Sequence, residues 1–241
     1  MQLSVVVPVR NEAENILPLL EEIHAALAGG ADFEVVYVND GSTDATPARL
    51  AEAMRKYPRL RVLVHAASCG QSTALLTGVR AARGEWIATL DGDGQNDPAD
   101  IPKLLAARAV GLAMIAGYRK SRRDTWIKRI SSRIANGVRS RMLGDATPDT
   151  GCGLKLFRRA TFLELPYFDH MHRFLPALVQ RHGGRTVSVE VNHRPRSRGV
   201  SNYGTLDRLW VGIVDMFGVM WLKRRAKKPV VSEHITELPR T

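Results

Sequence analysis

An acidic, glycine-rich loop contains the residues of this sequence that are best suited to bind a metal ion. It reads D-G-D-G-Q-N-D-P from Asp91 and follows the apolar run 85–90. Two carboxylates two residues apart can share a hard divalent cation with the oxygens of a diphosphate. Glycines let the backbone turn tightly and approach a ligand. The loop therefore predicts a Mg²⁺ or Mn²⁺ site that would stabilise charge on a departing nucleoside diphosphate.

Two plainer interpretations of this loop stand beside the metal site. Asp and Gly are common turn residues, so the run is also compatible with an ordinary turn. It resembles part of a calcium-binding loop too, but Pro102 stands at the twelfth position, where a glutamate is needed. The metal interpretation gains support from two more polar clusters at predicted strand ends, Arg10-Asn11-Glu12 and Asn39-Asp40-Gly41.

The elements that must position these clusters alternate along the first 118 residues. Such alternation is typical of an α/β fold with a mostly parallel sheet and helices on both faces, in which ligands bind beyond the carboxyl ends of the strands. We therefore expect the three clusters to meet at one rim of the sheet. Apolar runs predict strands over residues 3–8, 33–39, 60–65, 85–90 and 112–117, and helical spacing predicts helices over residues 12–27, 45–56, 70–83 and 100–108.

The later part of the chain has a less regular pattern. Helical spacing or apolar alternation is present, but turns and basic loops interrupt it. We predict a basic helix over 126–143, a glycine-rich turn into a strand over 149–157, a helix over 171–182, a strand over 186–194 and an apolar helix over 205–222. His65, His170, His172 and His193 are expected to be surface or packing residues.

Positive charge is concentrated in two regions of the chain. The net charge is +11; residues 119–141 hold nine Lys/Arg against one acid, and residues 194–228 hold nine against two. Regional charge of this kind suits phosphates, an anionic lipid surface or nucleic acid, and a solvated basic face is the plainer alternative. The two cysteines have no disulfide or metal spacing and no secretory signal opens the sequence, which favours a reducing, cytoplasmic setting.

Four ordered segments resemble the family 2 glycosyltransferases, and within them the polyprenyl-phosphate (dolichol-phosphate mannose synthase-like) branch. They are VVVPVRNEAENI at 5–16, VNDGSTDAT at 38–46, GEWIATLDGDGQNDP at 84–98 and RSRGVSNYG at 196–204. The resemblance implies a GT-A fold and an inverting transfer of a hexose from GDP-mannose or a UDP-sugar to a dolichyl or undecaprenyl phosphate. A GT-A enzyme with a saccharide acceptor, in cell-envelope polysaccharide or lipopolysaccharide synthesis, is the alternative.

The resemblance also implies roles for individual residues on the donor side. Asp91 would contact the nucleotide-sugar, and Asp93 and Gln95 would hold the metal. Two positions depart from the family pattern: Ser68 replaces an asparagine, and Asn202 replaces a lysine. Donor identity therefore stays open. The nucleotide-sugar would be held by Pro8, Val9, Asn11, Glu12, Asp40 and Asp91, and the late segment with Arg196, Ser201 and Asn202 would close over the diphosphate.

On the acceptor side, the resemblance implies a group of phosphate-binding residues: Arg119, Lys128, Arg129 and Ser132. The segment Asp149-Thr150-Gly151 resembles the acceptor-side turn of the family. A lipid monophosphate is already anionic near neutral pH and needs no general base, whereas a sugar hydroxyl does. Basic residues would gather the two anionic substrates, and Asp91, Asp93 and Arg119 are the expected catalytic residues.

The apolar run 209–222 contains one charged residue, Asp215, and the basic run 223–228 follows it. As a helix of 14 residues it would be about 21 Å long, short of the roughly 30 Å hydrocarbon core of a bilayer. We expect an interfacial amphipathic helix on the cytoplasmic face of an anionic membrane, attached peripherally and without a transmembrane helix. A core helix or an oligomer contact is the alternative. The expected division is a catalytic domain over 1–204, this helix over 205–228 and a flexible tail over 229–241.

Two other classes of protein fit the sequence less well. A sugar nucleotidyltransferase usually has a glycine-rich phosphate loop with a signature Arg and Lys after its first strand, and Pro8-Val9-Arg10-Asn11 lacks one. A nucleic-acid or membrane binder without catalytic activity would explain the basic regions. It would not explain why acidic side chains gather at the strand ends, so no nucleic-acid partner is expected.

Overall fold

The computed structural model describes residues 1–30, 32–119, 137, 139–145, 147–195 and 205–227, and for residues 205–210 only the backbone. Within these ranges, seven strands form one sheet. The strands are β1 (Leu3–Val9), β2 (Phe33–Asp40), β3 (Leu60–His65), β4 (Trp86–Thr89), β5 (Leu112–Tyr118), β6 (Lys155–Arg158) and β7 (Arg185–Glu190). The helices are α1 (Ile16–Leu27), α2 (Thr46–Lys56), α3 (Gln71–Ala81), α4 (Ile101–Ala106), α5 (Arg159–Leu163), α6 (Leu175–His182) and α7 (Thr205–Arg224), with 3₁₀ turns at Pro98–Asp100 and Met171–Arg173.

The sheet is mostly parallel, as the alternating pattern predicts. Its strand order is β3-β2-β1-β4-β6-β5-β7, and every pair is parallel except those that involve β6. The central strand β1 is apolar almost throughout because helices cover both faces, which leaves little of it in contact with water. Separate apolar clusters pack on the two faces of the sheet, one around Tyr37 and the other around Phe157.

Strand β6 is the exception that matters for the cavity described below. It lies between β4 and β5 and runs antiparallel to both, with Lys155 opposite Thr89. Because the two strands run in opposite directions, the start of β6 lies beside the carboxyl end of β4. The turn over residues 149–154 is therefore brought to the acidic loop that follows β4.

Three predicted elements differ from the structure for local reasons. The first helix begins at Ile16 rather than near residue 12, because residues 11–13 make hydrogen bonds to the loop after β2. The helix predicted over 171–182 is divided into a 3₁₀ turn and α6, whose first turn contains Pro176. The last strand ends at Glu190, because the Asn192 amide donates to Asp100 Oδ2 at 2.6 Å and not to a neighbouring strand.

The helix α7 packs against the domain through one of its sides. Val219 is fully buried, and Arg181 donates a hydrogen bond from Nε to the carbonyl of Leu222 at 2.9 Å. Val214, Phe217 and Trp221 are more than half exposed on the same helix. None of the helices in the described ranges is long and apolar enough to cross a bilayer.

Candidate active site

A cavity of about 430 Å³ opens at the carboxyl ends of β1, β2 and β4. Parallel strands end at the same edge of a sheet, so the loops that follow them converge there. The three polar clusters meet at this cavity, as expected. Six of the predicted site residues line it: Pro8, Val9, Glu12, Asp40, Asp91 and Asp93.

Asn11 joins the loop after β1 to the loop after β2. Its φ of 56° is a left-handed conformation that asparagine tolerates better than most residues. Its side-chain oxygen accepts a hydrogen bond from the backbone amide of Thr43 at 2.8 Å, and the backbone amide of Asn11 donates to Ser42 Oγ at 3.0 Å. The neighbouring Glu12 amide donates to Thr46 Oγ1 at 2.9 Å. Asn11 therefore holds the loops in place from outside the cavity wall.

Asp40 ends β2 and has only 4% of its surface exposed. Its Oδ1 accepts hydrogen bonds from His65 Nδ1 and the Cys69 amide, both at 2.8 Å. Its Oδ2 accepts from Ser68 Oγ at 2.8 Å and the Gly70 amide at 2.9 Å. Burial alone would raise the pKa of Asp40, but these hydrogen bonds favour the ionised form and lower the pKa. Asp40 is thus a fixed anion held by the loop after β3.

One group of His, Cys and Asp side chains in the described ranges has spacing suited to a metal. The potential ligand atoms of Asp40, His65 and Cys69 lie within 4.8 Å of one another. Both ring nitrogens of His65 are already engaged, Nδ1 with Asp40 and Nε2 with Thr77 Oγ1 at 3.0 Å. Hydrogen bonding therefore accounts for the cluster.

Asp91 follows β4 and faces the turn that precedes β6. Its amide donates to Asn96 Oδ1 at 3.1 Å, and its Oδ1 accepts from Gln71 Nε2 at 2.9 Å. A Cβ atom on Gly153 would lie only 2.1 Å from Asp91 Oδ2, so a glycine is needed for this close approach. Burial and then the charge of Asp93 raise the pKa of Asp91, and the charges of Lys155 and Arg119 oppose that increase.

This arrangement fits a divalent cation. The Gln95 amide donates to Asp93 Oδ1 at 3.1 Å, which folds the two predicted metal ligands onto one turn. Burial and then the charge of Asp93 disfavour the ionised form of Asp91, and a divalent ion would offset that penalty. Carboxylate and amide oxygens are hard ligands that suit Mg²⁺ or Mn²⁺. Asp93 lines the cavity, whereas Gln95 is not among the residues of its wall.

Arg119 lies beside the cavity, in a tight pair with Asp149. Its Nε is 2.6 Å from Asp149 Oδ2, and its Nη2 is 3.0 Å from Oδ1. Burial would lower the pKa of the guanidinium, but this pairing outweighs burial and raises it. Its charge also acts on Asp91. Arg119 is therefore a permanent cation near Asp91 at the β4–β6 end of the cavity, outside the residues that form its wall.

Residues 192–195 pack against the acidic loop. The Arg194 amide donates to the carbonyl of Gln95, and Arg194 Nη2 donates to the carbonyl of Asn96, both at 3.0 Å. The chain thus enters the segment 196–204 from beside the predicted metal ligands. A group of predicted site residues lies outside the described ranges, and their roles stay predictions: Lys128, Arg129, Ser132, Arg196, Ser201 and Asn202.

The cavity wall also contains residues that were not predicted as site residues, among them Lys155, His172 and Arg173. Lys155 stands between the buried Leu154 and Leu156, and a lysine inside an apolar strand is a signal that sequence reasoning could have used. His172 was expected to be a surface or packing residue. Burial lowers its pKa to about 3, with smaller contributions from neighbouring charges, so its ring is neutral at physiological pH.

The fold and the cavity together define an α/β protein with an acidic loop at the carboxyl ends of its parallel strands. The chain belongs to glycosyl transferase family 2, and the sequence profile of that family matches residues 4–165. It is 36% identical over 235 residues to the dodecaprenyl-phosphate galacturonate synthase of Rhizobium johnstonii, covering 95% of this chain and 69% of that protein. It is 34% identical over 205 residues to the undecaprenyl-phosphate 4-deoxy-4-formamido-L-arabinose transferase of Edwardsiella ictaluri, covering 84% of this chain and 63% of that protein.

Solved structures confirm the expected GT-A-like fold. Mannosyl-3-phosphoglycerate synthase from Rubrobacter xylanophilus superposes with a TM-score of 0.71 at 15% identity, covering 98% of this chain and 79% of the other. The mannosyltransferase PcManGT from Pyrobaculum calidifontis, in complex with GDP-Man and Mn²⁺, superposes with a TM-score of 0.67 at 22% identity, covering 95% and 66%. At these identities the likeness concerns the fold alone.

Proposed function

We propose that this protein transfers a sugar from a nucleotide-sugar to a polyprenyl phosphate at a membrane surface. The observation that carries the proposal is that Asp40, Asp91 and Asp93 face one cavity at the strand ends of a family 2 chain. Two curated relatives are named for transfer to dodecaprenyl or undecaprenyl phosphate, and this chain spans 63–69% of their length. Their names differ in the sugar, so the donor sugar of this protein is a separate question.

The donor would lie across the cavity from the β1–β2 end to the β4–β6 end. Pro8, Val9, Glu12 and Asp40 would face the base and ribose, and Asp91 would face the sugar next to the diphosphate. Asp93 and Gln95 would hold a Mg²⁺ or Mn²⁺ ion. That ion would offset the negative charge that develops on the departing nucleoside diphosphate.

The proposed reaction is a single in-line displacement at the anomeric carbon. An oxygen of the lipid phosphate forms the new bond to this carbon while the bond to the nucleoside diphosphate breaks. The configuration is therefore inverted. No general base is needed because the attacking oxygen is already anionic. Arg119 would balance the charge of the acceptor phosphate from its position beside Asp91, where Asp149 holds its guanidinium in one orientation.

A labelled-transfer assay tests the proposal directly. Purified protein is given UDP- or GDP-sugars with Mn²⁺ and, as acceptors, undecaprenyl phosphate or a panel of soluble saccharides. We expect label in the lipid fraction, loss of transfer on chelation and its return with Mn²⁺ or Mg²⁺. Transfer only to saccharides would support the alternative acceptor class and contradict the proposal.

The helix α7 is proposed to lie on the membrane that contains the acceptor. Phe217 and Trp221 are 58% and 59% exposed, one helical turn apart, and the basic run 223–228 follows. Vesicle flotation tests this with Phe217→Ser and Trp221→Ser. We expect weaker binding to vesicles that contain anionic lipid, on the order of several-fold, because each change removes apolar area. Val110→Ser, which alters a 96% exposed residue in another part of the fold, is the matched control.

Loss of binding in the control, or no loss in the two helix variants, would contradict this attachment. Self-association of α7 is the other possible use of the same face. A concentration-dependent change in sedimentation that both helix variants abolish, without any effect on vesicle binding, would assign the face to a second copy of the chain.

A further inference from the structure

Lys155 is a lysine that the fold buries at the β4–β6 end of the cavity. It opens β6 opposite Thr89, has 4% of its surface exposed and lines the cavity wall. Its ammonium has three N–H donors, and one of them donates a hydrogen bond to the carbonyl of Cys152. Neither the metal site nor the predicted acceptor-phosphate residues account for a lysine at this position.

Within the described ranges this ammonium has no ion-pair partner. Asp149 is engaged by both arms of Arg119. The Cys152 thiol is not a counter-ion, because burial raises its pKa and keeps it protonated. Burial lowers the pKa of Lys155, and the charges of Asp91 and Asp149 act on it only through space to oppose that decrease. A buried charge without a partner is costly, so the fold retains Lys155 at the expense of stability.

The side chains next to Lys155 in the wall are also hydrogen-bond donors. Ser72 Oγ lies 2.8 Å from His172 Nδ1 and accepts from the His172 amide at 3.4 Å, which holds the ring in the wall. When Ser72 donates to Nδ1, the ring proton of the neutral His172 is on Nε2, which makes that nitrogen a donor. Arg173 adds a second positive charge to this wall. Donors that converge on one space favour an anion rich in acceptor oxygens.

We propose that Lys155 binds an oxyanion of a substrate at the β4–β6 end of the cavity, beside Asp91. This deepens the proposed function and rests on it. Two substrates supply an oxyanion: the phosphate monoester of the lipid acceptor, and the carboxylate of a donor whose sugar is a uronic acid. Both spread negative charge over two or three oxygens, which match the cationic Lys155 and Arg173 of the cavity wall. An uncharged sugar hydroxyl would leave the ammonium without compensation.

The experiment compares Lys155→Met with Lys155→Arg and with Lys56→Met, an exposed lysine on α2 away from the cavity. Donors are matched pairs that differ only at C6: UDP-galacturonate and UDP-galactose, UDP-glucuronate and UDP-glucose, GDP-mannuronate and GDP-mannose. Donor binding is measured by calorimetry, which needs no transfer. Transfer to undecaprenyl phosphate gives KM for the acceptor.

Lys155→Met is expected to raise the thermal midpoint, because methionine fills similar volume without a buried charge. If the oxyanion is on the sugar, the wild-type protein binds the uronate of a pair at least about tenfold more tightly, and Lys155→Met removes this preference. If it is on the acceptor, the KM for lipid phosphate rises at least about tenfold with every donor. Lys155→Arg should retain part of either effect, and Lys56→Met should have none.

A change of less than about twofold in both the donor preference and the acceptor KM would overturn the proposal. A fall in kcat alone would not rescue it, because Lys155 would then act only through its charge on Asp91. A lower thermal midpoint in Lys155→Met with unchanged binding would overturn it as well. Failure of the proposed function gives a different result: the wild-type protein then transfers label to no lipid phosphate, while the calorimetric comparison of donors can still be made.

Discussion

The two ends of the cavity hold carboxylates in opposite electrostatic surroundings. At the β1–β2 end, Asp40 accepts four hydrogen bonds and its pKa is lowered. At the β4–β6 end, burial and the charge of Asp93 raise the pKa of Asp91. A carboxylate that is fully hydrogen-bonded stabilises the folded chain, whereas one that is under-compensated attracts cations. The first end therefore contributes shape and stability, and the second contributes binding and chemistry at some cost in stability.

Asp91→Asn should give the largest effect and separates the two ends most sharply. We expect transfer to fall by on the order of 100-fold or more, because a charge at the reacting centre is lost. The thermal midpoint should stay unchanged or rise, since an unfavourable charge is removed. Asp32→Asn, which alters a side chain that is 61% exposed, is the control and should change neither quantity. A large loss of stability in Asp91→Asn would contradict the conclusion that the carboxylate at the β4–β6 end does not stabilise the fold.

Asp40→Asn should show the opposite pattern. The amide group of asparagine would face donors that now bind a carboxylate, so we expect the free energy of unfolding to fall by about 2–4 kcal/mol. Chemical denaturation measures this change, and nucleotide binding should weaken as the loop after β3 loosens. Asp44→Asn is the comparison variant, because Asp44 also accepts backbone hydrogen bonds but is exposed. Equal losses in both variants would contradict the special position of Asp40.

The pH dependence of stability sharpens the comparison further. Burial would raise the pKa of Glu34, but hydrogen bonds from Arg61 and Ser4 and from the Arg83 amide lower it, as for Asp40. A lowered pKa in the folded state means that the stabilisation is present above the unfolded pKa of about 4 and is lost as pH falls below it. Thermal midpoints from pH 7 to pH 3 should therefore decrease, and Glu34→Gln should flatten the decrease. An unchanged slope in this variant would contradict the assignment.

Ser68→Ala should have the smallest effect. It removes one of the four hydrogen bonds to Asp40, so we expect a loss of about 1 kcal/mol in the free energy of unfolding. Ser68 stands where the family pattern has an asparagine. Ser68→Asn should therefore restore the hydrogen bond and remain within about 0.5 kcal/mol of the original protein. A larger loss in Ser68→Asn would show that the loop has adapted to the serine.

The strand-end clusters were predictable because their determinants are local. Apolar runs with turn residues after them placed Asp40 and Asp91 at the ends of β2 and β4, and parallel pairing then required them to meet. The hydrogen bonds of Asn11 were harder to predict from the sequence. The family resemblance assigned Asn11 to the nucleotide, whereas its observed hydrogen bonds join it to Thr43 and Ser42. That role in nucleotide binding stays a prediction, as does the division of the chain at residues 204 and 228.

The sequence by itself determined most strands and helices of the first 118 residues, the acidic loop and the family, since each depends on residue types a few positions apart. Only the tertiary structure decided that β6 lies antiparallel between β4 and β5, and this brings Lys155 and Gly153 to Asp91. The β4–β6 pairing joins residues that are far apart in the sequence, such as Thr89 and Lys155, and its register depends on packing across the whole sheet. The same long-range packing sets how many hydrogen bonds each carboxylate accepts, and thereby which end of the cavity stabilises the fold and which is left to bind charge.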